Sequence, residues 1–236
     1  MLVIIDKAMD VIGVSRHGRA EGPDDRLKSR GQPLGGRIGA TQPVHGALGL
    51  LHQAGKVTNR KGIFDGVSVT TFAAGTRELY DWLDDNHEVG FLPVHLVNSP
   101  ELISKNRKMV SINGALAVDL AGQAVADTLD ARQFSGIGGH EDFVASSGLE
   151  LEDRSLICLR SSTMVDGVRR SRIVGKFPAG TIVTTPRHQL DVVVTEYGVA
   201  ELRGRTVRER ARALAAIAHP EVRPDLEAQA EEWPPR

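Results

Sequence analysis

The sequence predicts an α/β domain in which helices are layered on a mixed sheet and β-hairpins are inserted. From Val44 onward, β-branched strand-like runs alternate with runs that have helical spacing. Asp166-Gly167, a dipeptide typical of a two-residue hairpin turn, stands between two strand-like segments. Hydrophobic residues make up 41% and charged residues 25% of the 236 positions, which is ordinary for a globular domain with a sizeable core.

Residues 1–42 differ from the rest of the chain. A strand-like start at Leu2–Ile5 is followed by a segment, Arg16–Pro43, with six glycines, three prolines and five arginines and no periodicity. Such a segment buries too little apolar surface to offset the entropy lost on ordering. The sequence therefore predicts a leader of loop or disorder over residues 1–42 and a folded domain over residues 43–236.

The first half of that domain contains three helix signals with a cap and two strand-like runs. VHGALGLLHQAG has helical spacing and ends at Gly55, while GTRELYDWLDDN begins at a capping Thr76. GVSVTTF and VGFLPVHLVN are typical of strands. In SPEL, Ser99 is the expected cap, with Pro100 at the first helical position.

The second half adds strands, hairpins and a further capped helix. MVSIN and ALAVDLAGQAVADTL predict strands with a turn at positions 121–122, and RSLICL is typical of a buried strand. HEDFVASSG predicts a helix, and TIVTT and DVVVTE predict two more strands. TVRERARALAAIAH begins with Thr206 and Glu209 in capping-box register and ends before Pro220.

Charge and composition exclude several classes of protein. A formal net charge of −1 argues against general binding to nucleic acids or anionic membranes. No apolar run approaches the roughly 18 residues that a membrane helix needs. The single cysteine, Cys158, cannot form an internal disulfide, which favours a reducing compartment. We therefore expect a cytoplasmic protein with neither a nucleic-acid nor a membrane partner.

The stretch SGIGGHEDF concentrates three glycines, Gly136, Gly138 and Gly139, before a predicted helix. A dinucleotide-binding fingerprint would require glycine where Glu141 stands, so that interpretation is weak. Closely spaced backbone N–H groups without side chains can donate to an oxyanion or a phosphate. The alternative from the residues alone is a tight turn that needs a positive φ.

Three other groups of polar residues are candidates for a site. His140, Glu141 and Asp142 lack a second ligand pair, so a polar helix start is favoured and no metal site is predicted. Glu196 follows the apolar run DVVV, where open α/β sheets hold ligands, although a surface charge is an equal alternative. The arginines of RRSR could bind phosphate or form a solvated face.

Several long motifs together resemble the acetyl-CoA hydrolase/transferase family, which includes 4-hydroxybutyrate and succinate CoA-transferases. They include SGIGGHEDF, PAGTIVTTPRHQLDVVVTEYGVAELRG and VRERARALAAIAHPEVR, with FAAGTRELYDWLD, VNSPELI and SINGALAVDLAGQ upstream. The resemblance covers roughly residues 44–226. It implies the class I CoA-transferase fold, related to the NagB and RpiA folds, in which two similar α/β domains hold the active site between them. This chain resembles the C-terminal domain.

The resemblance also implies a reaction and a set of site residues. A glutamate attacks an acyl-CoA thioester, and a carboxylate acceptor or water completes the cycle through a glutamyl-CoA thioester. Acyl-CoA is then a substrate, and no permanently bound cofactor is expected. The glycines at 136, 138 and 139 match the oxyanion and CoA-binding loop. Asn98 matches a polar partner and Glu196 a second carboxylate of the active site.

Two departures from the family pattern bear on activity. Counting back without gaps from LHQAG places Gln42 at the position of the nucleophilic glutamate, and a neutral amide cannot form the acyl anhydride. The family's first domain would precede this point, and residues 1–42 are too short to be it. We expect a partner polypeptide that carries the missing half, and a homo-oligomer. The alternative function is a truncated, inactive CoA-binding or interaction remnant.

Overall fold

A computed structural model of the protein describes residues 2–4, 46–129, 132–147 and 149–233. The helices of this part are α1 (Gly46–Gln53), α2 (Arg77–Leu83), α3 (Val94–Val97), α4 (Pro100–Ser104), α5 (His140–Ser146), α6 (Val207–Ala216) and α7 (Arg223–Glu231). Its strands are β1 (Leu2–Ile4), β2 (Ser68–Thr70), β3 (Val89–Phe91), β4 (Val110–Gly114), β5 (Ala117–Asp119), β6 (Ala124–Val125), β7 (Thr128–Leu129), β8 (Arg132–Gln133), β9 (Arg154–Cys158), β10 (Ser162–Val165), β11 (Val168–Ser171), β12 (Ile173–Val174), β13 (Val192–Thr195) and β14 (Gly198–Glu201).

The largest sheet within the described ranges has the strand order β1-β4-β9-β13-β14. The first four strands run parallel, and β14 returns antiparallel to β13. Ile157 and Val193 project from one face into a core that also contains Leu202 and Leu214, all fully buried. Helices α6 and α7 cover this face near β14, while α5 packs against β4. Apolar burial on a sheet face covered by helices is the layered arrangement that the sequence predicts.

Smaller sheets flank this layer. Strands β12, β5 and β6 form a three-stranded sheet, and β2 and β3 form a parallel pair. The pair β10 and β11 is a hairpin whose turn residues, Asp166 and Gly167, have φ angles of 51° and 76°. Positive φ at both central positions matches the right-handed twist of the strands. The hairpin prediction is confirmed, and so is the turn between β5 and β6.

The predicted helix starts are confirmed at α4 and α6. Ser99 Oγ accepts a hydrogen bond from Leu102 N–H over 3.4 Å, with Pro100 at the first helical position. At α6, Glu209 N–H donates to Thr206 Oγ1 over 3.4 Å, and Thr206 N–H donates to Glu209 Oε2 over 2.8 Å. Thr76 precedes α2 as predicted, although its side chain makes no cap hydrogen bond.

Two strand predictions differ from the structure. The run VGFLPVHLVN forms a strand only over β3, because Pro93 starts the short helix α3. The prediction of a strand over TIVTT, residues 181–185, is wrong, since Thr185 makes one isolated bridge to Ala124. Thr184 Oγ1 instead accepts from Ala126 N–H and donates to Asp127, so side-chain hydrogen bonds replace a ladder.

Two further observations concern the predictions for Cys158 and for the leader. Cys158 is buried in β9, and this burial raises the pKa of its thiol to about 12, as befits a structural residue.

Residues 5–45, which include Gln42, lie outside the described residues, and the leader over residues 1–42 stays a prediction. No helix in the described ranges has the length and apolar character needed to cross a membrane.

Candidate active site

The glycine-rich loop lies between β8 and α5 on the surface of the domain. Gly136 and Gly138 are exposed, and a Cβ atom on either would meet open space. Gly138 has a φ angle of +60°, which an L-residue adopts only at a cost of about 1–2 kcal/mol. The requirement for positive φ, offered above as an alternative, therefore applies to Gly138.

The backbone N–H groups of this loop make no hydrogen bond to the described residues. Within the described ranges, no protein oxygen accepts a hydrogen bond from the N–H groups of residues 136–139. Before the loop, Ser135 N–H donates to the Asp127 carbonyl over 3.1 Å, and after it Phe143 N–H donates to the Gly139 carbonyl. The loop is thus fixed at both ends, while the N–H groups between them are bonded to no described residue.

An open cleft of about 820 Å³ lies beside the second half of the loop. Gly138, Gly139, Asn98 and Asp142 supply its polar wall. The remaining lining residues are Thr71, Phe72, Val94, His95, Ser99 and Pro100. A mostly apolar cavity with a few convergent polar groups is the usual form of a small-molecule site.

Asn98 connects the α3 segment to the start of α5. It caps the C-terminus of α3, and its Nδ2 donates to Asp142 Oδ2 over 3.3 Å. A Cβ atom on Gly139 would overlap Asn98 Nδ2 and would stand 3.1 Å from Phe143 Cε2. Glycine at 139 therefore lets the Asn98 side chain lie directly against the loop backbone.

A buried hydrogen-bond network joins the start of α5, directly after the loop, to Thr185. His140 Nε2 lies 2.8 Å from Thr185 Oγ1, and the Thr185 hydroxyl donates to Glu141 Oε1 over 2.6 Å. Because the hydroxyl proton goes to the carboxylate, His140 Nε2 must be the donor to Thr185. Burial lowers the pKa of His140 to about 4. Burial also raises the pKa of Glu141, although the hydrogen bond from Thr185 opposes this rise.

We predict that His140 makes the fold less stable as the pH falls from about 6.5 to about 4. The unfolded imidazole has a pKa near 6.5 and the folded one near 4, so the unfolded state binds more protons in this window. The loss for one proton reaches about 3 kcal/mol across the window. In urea unfolding at several pH values, His140→Gln should remove this slope, and the exposed control His87→Gln should retain it. Equal slopes for both variants would contradict the assignment.

Glu196 is not among the residues that line the described cleft. It follows β13 at the C-terminal edge of the central sheet and is exposed. Ser161 N–H and the Ser161 hydroxyl donate to its two carboxylate oxygens over 2.9 and 2.7 Å. Burial lowers the pKa of nearby Arg172, and Arg160 lowers it further, whereas Glu196 opposes the shift. Glu196 thus belongs to a polar cluster with Ser161 and arginines.

The structure therefore brings together only part of the predicted set. Asn98, Gly138 and Gly139 line one cleft, whereas Gly136 and Glu196 are absent from its described lining. Asp142 and Thr185 were not predicted as site residues. Their contacts join segments 44 and 45 residues apart, which no local pattern in the sequence signals. Within the described ranges, no three His, Cys, Asp or Glu side chains are arranged to hold a metal ion.

The fold is that of CoA-transferase chains. RipA from Yersinia pestis superposes with a TM-score of 0.75 at 36% identity, over 84% of this chain and 45% of that one. A 4-hydroxybutyrate CoA-transferase from Porphyromonas gingivalis superposes with a TM-score of 0.68 at 34% identity, over 84% and 47% of the two chains. The predicted layered α/β domain with a mixed sheet and hairpins is confirmed.

The chain belongs to the acetyl-CoA hydrolase/transferase family, because residues 75–230 match its C-terminal domain. Among curated relatives, the 4-hydroxybutyrate coenzyme A transferase of Clostridium kluyveri is 43% identical over 177 residues, which are 75% of this chain and 41% of the relative. The chain thus spans about two fifths of the length of such relatives. The family consists of enzymes, as the resemblance of this sequence to it implied.

Proposed function

We propose that this chain provides the acyl-CoA-binding wall of a CoA-transferase or acyl-CoA hydrolase. The observation that carries the proposal is the joint position of Asn98, Gly138 and Gly139 on one cleft, in a loop whose N–H groups at residues 136–139 bond to no described residue. The chemistry of the family requires these features, because the thioester carbonyl oxygen becomes negative as a carboxylate attacks the carbon. Oxyanion donors of this type are worth about 3–4 kcal/mol each in other enzymes.

The substrates follow from the same chemistry. An acyl-CoA enters the cleft, and its acyl group leaves as the free carboxylate when the enzyme-bound glutamyl-CoA thioester forms. A carboxylate acceptor then takes the CoA from this thioester, or water hydrolyses the thioester and releases free CoA in a hydrolase. Glu196 stands as the second carboxylate of this scheme, held by Ser161, and Gly136 completes the loop. The proposal places this reaction in the cytoplasm and requires no permanently bound cofactor.

A partner surface accompanies this proposal. Phe72, Phe91, Val94 and Leu96 expose apolar side chains on and near the cleft, each between 36% and 57% accessible. Apolar groups concentrated beside a cleft are typical of an interaction site. We propose that the family's first domain, on another polypeptide, covers this surface and completes the active site, or that a second copy of the chain covers it.

A second candidate function is a CoA-binding remnant without catalysis. Gln42 favours it, because the amide at the nucleophile position has no charge and cannot form the anhydride. The two candidates share the cleft and differ in turnover.

Calorimetry and a turnover assay on the purified chain test both candidates. We expect saturable binding of acetyl-CoA, release of CoA no faster than in buffer, and no recovery of turnover in Gln42→Glu. Absence of acetyl-CoA binding would overturn the proposed site. Saturable CoA release by the chain alone would show that neither a glutamate at position 42 nor a separate first domain is needed, and it would exclude the remnant.

A further inference from the structure

The arginines of the segment RRSR have different surroundings in the folded hairpin. Arg169 Nε lies 3.2 Å from Glu221 Oε2, and Arg169 Nη1 donates to Ser162 Oγ over 3.2 Å. Arg172 is half-buried, yet its guanidinium forms no ion pair or hydrogen bond with a described residue. We propose that Arg172 and the nearby Arg160 form a binding site for a small carboxylate, the chemical class of the acceptor. The role of this site rests on the proposed function.

The strand register brings Arg160 beside Glu196. Strands β9 and β13 are parallel neighbours in which Cys158 pairs with Val194, and Leu159 N–H donates to the Val194 carbonyl over 3.0 Å. Arg160 and Glu196 each follow this pair by two positions, where both strands have reached their carboxyl ends. Open α/β sheets usually hold their ligands outside this edge. The two charged side chains therefore start from a place suited to a ligand.

The backbone of Arg172 is fixed at the same edge of the sheet. Its N–H donates to the Ser161 carbonyl over 2.8 Å, and its own carbonyl accepts from Val118 N–H over 2.8 Å. Because Ser161 directly follows Arg160, the two arginines have neighbouring backbones, and their charges interact. A side chain that leaves a fixed backbone loses less freedom when a ligand binds, which favours binding.

The charges at this edge favour a bound anion. Both carboxylate oxygens of Glu196 accept from Ser161, and neither is bonded to an arginine. Burial lowers the pKa of Arg172, and the charge of Arg160 lowers it further. An anion between the two guanidinium groups would relieve both unfavourable effects.

The same charges favour a carboxylate over a phosphate dianion. Two guanidinium groups and the carboxylate of Glu196 leave one positive charge in excess, which a monoanion neutralises. The fork of an arginine also matches the planar geometry of a carboxylate. In the proposed reaction a free acid takes CoA from the glutamyl thioester, so the enzyme needs a place that binds this acid. A carboxylate at Arg160 and Arg172 would lie next to Glu196, the second carboxylate of that scheme.

Titration of the purified chain with sodium acetate tests the site, with sodium chloride keeping the ionic strength constant. The Nε–H resonances of Arg160 and Arg172 should shift and reach saturation. Arg160→Gln and Arg172→Gln should each weaken acetate binding about tenfold, since each removes a hydrogen bond to a charged group. Arg172→Lys keeps the charge without the fork and should also weaken it. Arg212→Gln is the control and should bind acetate like wild type, because Arg212 is already paired with Glu231.

Three results would overturn the inference. They are an unchanged acetate affinity in Arg160→Gln, where the exposed side chain makes misfolding no explanation, an equal loss in Arg212→Gln, and tighter binding of inorganic phosphate than of acetate at both arginines. Calorimetry of wild type with acetyl-CoA separates this inference from the proposed function. Failure to bind acetyl-CoA overturns the proposed function, whereas absence of saturable acetate shifts in a chain that binds acetyl-CoA overturns the carboxylate site alone.

Discussion

Replacement of Gly139 by alanine is expected to weaken acetyl-CoA binding by tenfold or more. The added Cβ would overlap Asn98 Nδ2 and would stand 3.1 Å from the ring of buried Phe143. The Asn98 side chain is the more movable neighbour, so it would swing away and lose its hydrogen bond to Asp142. A misplaced donor of this kind costs about a factor of ten or more in affinity. Calorimetric titration with acetyl-CoA measures the change.

Gly136→Ala is the matched control in the same loop. A Cβ atom at Gly136 meets nothing within 4 Å, and the residue does not have positive φ. We expect its acetyl-CoA affinity and its free energy of unfolding to stay near those of wild type. Equal losses of affinity in both variants would mean that the loop backbone tolerates no side chain at either position, and that Asn98 is not the affected group.

Asp191→Ala is expected to destabilise the fold by about 3 kcal/mol, the low end of the cost of breaking a buried ion pair. Asp191 is only 4% exposed at the start of β13. Its Oδ2 lies 3.1 Å from Arg203 Nη2 and 3.5 Å from Arg154 Nε, and it accepts from Ser155 N–H over 3.1 Å. Removal would leave two positive charges and a buried N–H group without this carboxylate. The arginines are about one-third exposed, which limits the loss.

Glu201→Ala removes a second carboxylate that contacts the same arginine. Glu201 Oε1 lies 3.5 Å from Arg154 Nη2, but its side chain is 63% exposed and solvated. Exposed ion pairs contribute little to stability, so we expect a much smaller loss than for Asp191→Ala. Urea unfolding at neutral pH measures both. Similar losses in the two variants would show that burial of Asp191 does not set its contribution.

Local signals in the sequence predicted the elements that depend on few neighbouring residues. The Thr206–Glu209 capping box, the Asp166-Gly167 turn and the cap at Ser99 each follow from residues within four positions of one another. Helix α7 was not predicted, because its sequence is mostly polar and few of its side chains, such as Leu226, are buried. It is stabilised by packing against α6, which depends on the tertiary fold.

In the candidate site, too, some residues were signalled by local motifs, whereas others depend on contacts made only in the folded chain. Asn98 and the glycines were predicted from the family motifs, and a turn with positive φ was the alternative for the glycine cluster; Gly138 has that positive φ. Thr185 was predicted inside a strand, whereas the folded chain uses its hydroxyl to join His140 to Glu141. Asp142 was interpreted as part of a polar helix start. Neither contact could be predicted, since each joins residues that are adjacent only after the sheet has formed.

The strand order also determines when this region can assemble during folding. Asn98 precedes β4, the glycine loop lies between β4 and β9, and Thr185 lies between β9 and β13. Parallel pairing of these strands joins positions some 40 residues apart, as in Ser111 beside Ser155 and Val193 beside Ile157. Contacts of such long range make folding slow. On the ribosome, the loop therefore acquires its His140–Thr185 anchor only after most of the domain has been synthesised.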